Sequence, residues 1–197
     1  MEKNDIVKKP SLGKSTLPYG IIYGAILLLE FVASYALELN SQDNRAAGIV
    51  MGLFNYLILP VLFIFLACNN YKNKLNGGYI SFSEALKAGV AVCVMAALVS
   101  SVGTSLLYLV IPDAKDQILE QTKISLASQP NMNADSLKMA LKMTEIFMRP
   151  YVLIPFSILV NAFMGLIMSL IVGAIVKKDN PYGDFNPNAT NNTGSEE

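Results

Sequence analysis

Four blocks of apolar residues, each without a lysine or arginine in its interior, decide what this chain can become. They run from about Leu17 to Leu37, from Ala47 to Ala67, from Ala88 to Ile111 and from Tyr151 to Val176. Each is about 20 residues or longer, the length a helix needs to cross a hydrocarbon layer roughly 30 Å thick. A lone helix satisfies its own backbone where no water is available, and a lone strand cannot. The expectation is an all-α polytopic membrane protein with four transmembrane helices. A cleavable signal peptide is the competing reading of the first block. Its apolar run is about twice the usual 7–15 residues, and no convincing small-x-small site follows closely.

Composition narrows the functions open to such a chain. Of its 197 residues 53% are hydrophobic and 15% charged, where a soluble domain carries about 25% charge. A water-soluble enzyme is therefore excluded. Fifteen Lys and Arg balance fifteen Asp and Glu, so no basic face accumulates and nucleic acid is not an expected partner. There is no His or Trp and there are two Cys, so neither a His/Cys zinc site nor a Ser-His-Asp triad can be assembled. No catalytic residue, metal ligand or cofactor is assigned, and an enzyme is not expected. Cys68 and Cys93 read as packing residues rather than a disulfide.

Orientation follows the bias of Lys and Arg near the helix ends. Lys3, Lys8, Lys9 and Lys14 precede the first block, Lys72, Lys74 and Lys87 lie between the second and third, and Lys177 and Lys178 end the fourth. The first connection has Arg45 against Glu38 and Asp43, and the third is balanced. Both termini are thus expected in the cytoplasm. Residues 1–16 form an N-terminal cytoplasmic segment, 17–178 the membrane domain, and 179–197 a polar tail expected to be disordered.

The third connection, residues 112–150, carries amphipathic helices. Lys138, Lys142, Glu145 and Arg149 recur on one helical face, with Met139, Ala140, Met143, Ile146 and Phe147 over the rest. Asn133 is the expected N-cap and Pro150 the stop. A shorter helix is expected in the stretch before Gln129-Pro130-Asn131. The pair either lies on the outer face of the bundle or forms a Met-rich docking surface.

Small residues recur at every fourth position in two helices. The third block has Ala85, Gly89, Cys93, Ala97, Ser101 and Ser105, and the fourth has Ser157, Asn161, Gly165, Ser169 and Gly173. In lipid the hydrophobic effect cannot drive helices together, so close packing of small residues takes its place. The two ridges are expected to pack on each other; homodimerisation through one of them is the alternative. The first helix opens with Gly20-x-x-x-Gly24 and the second with Gly48-x-x-x-Gly52. Pro60, inside the second block, removes a backbone donor, leaves the carbonyl of Tyr56 without its bond and predicts a kink.

Glu30 is the one acid well inside a span. Insertion of an acid near the helix centre costs about 2.5–3.5 kcal/mol, which the Ile, Leu, Val and Phe of the same helix offset. At about 1.5 Å per residue it lies roughly 60% of the way across from the cytoplasm. Asn55, Ser101 and Asn161 arrive near the same depth from the other three helices, and Tyr23 and Ser34 share the face of Glu30. One reading is a structural polar layer in which Glu30 bonds Asn55 or Asn161 and sets helix register. The other is a proton or ion pathway.

The order of these features resembles a known family. Tyr19-Gly20-x-x-Tyr23-Gly24 starts the first helix, a proline interrupts the second, ISFSEALKAG from Ile80 to Gly89 enters the third, and Lys177-Lys178 closes the fourth. Over roughly residues 17–178 this is similar to the small four-helix membrane proteins called domain of unknown function 4199, found mainly in Bacteroidetes. The resemblance implies a bacterial cytoplasmic membrane and carries no assigned activity. The expected role is a non-enzymatic accessory or scaffold subunit, surrounded by membrane lipid and acting as a homo-oligomer or beside a membrane-protein partner. A component of a proton-linked carrier or channel using Glu30 is the alternative.

Overall fold

A computed structural model describes residues 11–37, 45–129 and 132–180. The first helix, α1, spans Leu12–Ala36 and starts on the low side of its apolar block, because the Ser11 side chain accepts from the Lys14 N–H and caps it. The second span is one rod in four pieces. These are α2 (Arg45–Leu53), a π-turn (Phe54–Ile58), α3 (Leu59–Asn70) and a second π-turn (Tyr71–Leu75). A tight turn follows, with Gly77 and Gly78 at φ of 61° and 88°, a region open to glycine at little cost. Next comes α4, Phe82–Val110, begun by a reciprocal cap. Ser81 Oγ accepts from the Glu84 N–H, and the Glu84 carboxylate accepts from the Ser81 N–H.

After α4 the chain turns at Ile111 into α5 (Pro112–Ala127), then α6 (Ala134–Phe147), and returns as α7 (Pro150–Val176). Four helices are long and apolar enough to cross a membrane: α1, the rod from Gly48 to Leu75, α4 and α7. The chain is an all-α, four-span membrane protein. Against the expected limits of 17–37, 47–67, 88–111 and 151–176, α1 and α4 begin earlier and the second span extends at both ends, since caps and polar turns carry them beyond the apolar residues, while α1 and α4 end one residue short and α7 agrees to within a residue.

The centre of the bundle is α4. It packs on α1 along one face and on α7 along another, while α3 touches all three. The α4–α7 seam runs along the two small-residue ridges. A methyl group at Gly165 would lie 2.8 Å from Cys93 Cβ and 2.9 Å from the Gly89 carbonyl oxygen, and Gly173 faces Ala85. Gly89 is seated against Ser169. The α1–α4 seam is equally close: a methyl at Gly24 would stand 2.6 Å from the Ala96 carbonyl oxygen, and one at Gly20 would stand 2.6 Å from Met95 Cβ. Gly52 differs, with nothing in its vicinity. A methyl there would meet nothing within 4 Å.

The buried core lies toward the lysine-bearing end, around Phe63, Ile64, Ala67, Cys68, Tyr71, Ala88, Val92, Cys93 and Val172. That end is fastened by polar contacts. Ile80 and Lys178 exchange two backbone hydrogen bonds, at 3.0 and 2.9 Å. The Lys178 ammonium lies 5.4 Å from the centre of the Tyr79 ring. Lys72 Nζ donates to the Val176 carbonyl at 2.8 Å. At the opposite end the rod stands away from the bundle, and Ile49, Val50, Met51, Leu53 and Phe54 are exposed.

The third connection is a helical hairpin. Asn133 caps α6, its side chain accepting from the Ser136 N–H at 2.7 Å. Lys138, Lys142 and Glu145 turn toward α5 and border a cleft with Asp116, Glu120 and Lys123. Met139 and Met143 are exposed on α6, and Phe147 packs on Phe156 of α7 with ring centres 4.9 Å apart. Arg149 is not part of the charged face of α6. It lies beyond that helix, precedes α7 and donates to the Tyr151 hydroxyl at 3.0 Å. α6 ends at Phe147, before Pro150, and Pro150 also opens α7, since a first-turn position needs no N–H. Pro130 and Asn131, and the tail from residue 181 onward, lie outside the described residues.

Candidate functional site

The candidate site is built around a defect in the second span. Pro60 has no N–H, and in an ordinary α-helix the Tyr56 carbonyl would lose its bond. The helix answers by changing register just before the proline. The Leu59 N–H bonds the Phe54 carbonyl, an i to i−5 contact. In that register the missing N–H of Pro60 is the partner due to Asn55, so the vacancy shifts from Tyr56 to Asn55. The Tyr23 hydroxyl of α1 donates to this Asn55 carbonyl at 3.2 Å.

Tyr23 is held for the task. It is 3% exposed, and its ring is stacked on Phe63 with centres 5.3 Å apart and planes 11° apart. Glu30 lies two turns further along the same face of α1. Asn55 Nδ2 donates to Glu30 Oε1 at 2.7 Å, so Asn55 is tied to α1 by its backbone and by its side chain. The remaining amide oxygen, Asn55 Oδ1, is buried and has no hydrogen-bond partner among the described residues. Glu30 and Asn55 are each half-buried, at the level where the rod leaves the bundle.

Ser101 and Asn161 do not join them. Ser101 Oγ donates to the Leu98 carbonyl at 3.4 Å, and Asn161 Nδ2 donates to the Ser157 carbonyl at 2.9 Å, both within their own helices. Equal depth brought these groups to one level, but helical phase separates them. Both belong to the ridges of α4 and α7, whereas Glu30 and Asn55 meet across α1 and the second span. Ser105 Oγ likewise donates to its own helix, to the Ser101 carbonyl at 2.7 Å. The expected four-helix layer is therefore a two-helix cluster of Tyr23, Glu30 and Asn55. Sequence placed Tyr23 on the face of Glu30 without giving it a partner, because the vacancy it fills arises from the π-turn.

Chemically, the cluster offers a carboxyl, an amide and a phenol in a row. The carboxyl and the amide pair across the two helices, and the phenol serves the Asn55 backbone. Cys68 and Cys93 are buried free thiols.

Comparison with protein families matches residues 18–178 to the family described as "Protein of unknown function (DUF4199)". No curated protein and no solved structure matches the chain. The matched stretch takes in α1 from Pro18 onward, the other three spans, the Tyr23–Glu30–Asn55 cluster and the clasp that ends at Lys178. The chain belongs to the DUF4199 family of proteins of unknown function.

Proposed function

We propose that the protein is a non-enzymatic accessory or scaffold subunit of the bacterial cytoplasmic membrane, with both termini in the cytoplasm. It works against a second copy of itself or a membrane-protein partner. Exposed apolar side chains do not carry this reading, since lipid covers them at no cost. The observation that carries it is the Glu30–Asn55 pair, a carboxyl and an amide bonded across two spans and each only half-buried by the chain itself. A polar pair at this depth is costly against lipid and is favoured where another polypeptide covers it. The Met139 and Met143 face of α6 offers a second, adaptable contact outside the membrane.

The test is a tagged purification from native membranes in mild detergent, with mass spectrometry of what co-elutes. A photo-crosslinker at Tyr56, an exposed neighbour of Asn55, marks the covering surface. A stoichiometric partner or a homo-oligomer crosslinked at this position supports the proposal, and a bare monomer without crosslinks overturns it. Orientation is tested with reporter fusions. Exchanging Lys72 and Lys74 for Glu should disturb the topology, and unchanged reporters would count against cytoplasmic termini.

A proton-linked carrier or channel component is the second reading. Its support is the same carboxyl, which has an amide donor and, among the described residues, no basic partner. Glu30→Gln keeps hydrogen bonding and removes the proton. Loss of proton flux in liposomes with assembly intact would favour transport.

A further inference from the structure

A second feature, which does not include Glu30, lies between the second span and α7. It is a groove of about 470 Å³, lined by Leu57, Ile58, Val61, Leu62, Phe65, Ile171, Val172 and Ile175. Every lining side chain is apolar. From Leu57 to Phe65 the groove follows the helix for about 12 Å at the usual rise, most of one leaflet of a layer about 30 Å thick.

A cation lies beyond one end of this lining. Lys72 lies two turns beyond Phe65 on the same rod, and its ammonium donates to the carbonyl of Val176, next to the groove residue Ile175. Lys72 is half-buried, and among the described residues one of its three N–H donors is used this way. The other two cations at this end of α7 are engaged elsewhere. Lys177 pairs with Asp179 at 2.9 Å, and Lys178 lies over the Tyr79 ring.

We propose that this groove binds an anionic phospholipid, one acyl chain lying between the second span and α7 and the phosphate resting on Lys72. An apolar slot with the Lys72 ammonium beyond its end, where the apolar residues of the second span give way to Lys72 and Lys74, matches that ligand in both shape and charge. Basic pockets between membrane helices recognise acidic headgroups in this way. The proposal goes beyond the accessory role and holds whether or not a partner subunit exists.

The probe is phosphatidylglycerol against phosphatidylcholine, with the full-length protein in nanodiscs of mixed composition and bound lipid counted by native mass spectrometry after detergent transfer. The wild type should retain phosphatidylglycerol in preference. Lys72→Gln, which keeps a donor for Val176, should weaken retention by about fivefold, the effect of one basic residue at a membrane surface. Lys72→Arg should restore it. Lys87→Gln removes an exposed cation at the same end, away from the groove, and should change nothing. Ile171→Trp, which fills the slot, should lower retention without altering charge. Equal retention of the two lipids, equal loss from Lys87→Gln and Lys72→Gln, or a groove crosslinked at Leu62 to a second copy or to the chain's own tail would each overturn the proposal.

Discussion

The hydroxyl of Tyr23 donates to the backbone carbonyl of Asn55 across 3.2 Å, and so replaces a bond that Pro60 removes from the second span. A defect in one helix is repaired by a side chain from another. Tyr23→Phe keeps the ring stacked on Phe63 and removes the donor. It should cost about 1–2 kcal/mol, the penalty for leaving a buried carbonyl unpaired, softened by the membrane reference state. Equilibrium unfolding in mixed micelles measures it.

Restoring the missing N–H should make that repair redundant. In Pro60→Ala the turn can return to ordinary α register, and Leu59 can bond Asn55. Tyr23→Phe in this background should then cost less than about 0.5 kcal/mol, giving a clear coupling term in a double-mutant cycle. Additive losses would mean that the hydroxyl matters for a reason unrelated to the proline.

Glu30 can be dissected by shape and charge. Glu30→Gln retains an oxygen for Asn55 Nδ2 and should change stability by no more than about 0.5 kcal/mol. Glu30→Leu leaves both polar atoms of the Asn55 amide unpaired and should cost about 1–3 kcal/mol. If both variants lose equally, this hydrogen bond is not what holds the second span in place.

The small-residue seams predict a contrast between glycines. A methyl at Gly165 would press on Cys93 and on the Gly89 backbone, neither the far end of a flexible chain. Gly165→Ala should cost about 1–3 kcal/mol through overpacking. Gly52 faces open space, so Gly52→Ala should be neutral or stabilise by up to about 1 kcal/mol. Thermal melts in detergent would separate the two.

Sequence made the four spans and the α4–α7 ridges legible because both depend on local rules, apolar length and four-residue spacing. Asn133 was visible as a cap for the same reason, whereas the start of α4 at Phe82, six residues before its apolar block, was not. Depth alone could not sort Glu30, Asn55, Ser101 and Asn161, since meeting across helices requires the rotation of each helix about its axis. Pro60 announced a broken bond, but the π-turn that moved it from Tyr56 to Asn55 is a choice between registers that single residues do not encode. The pairing of Gly20 and Gly24 with α4 was hidden likewise. Their spacing matched that of Gly48 and Gly52, and it distinguishes neither which helix will be met nor whether one will.

The clasp between Ile80 and Lys178 also fixes an order of biogenesis. A ribosome releases α1, the second span and α4 before any of α7 exists, so the α1–α4 seam can close while translation continues. The ridge of α4 must wait for its partner, with Gly89 and Cys93 not yet covered by Ser169 and Gly165. Only after Lys178 has left the exit tunnel can its backbone meet Ile80. A chain that stops short of that residue would insert every span and still lack its last fastening.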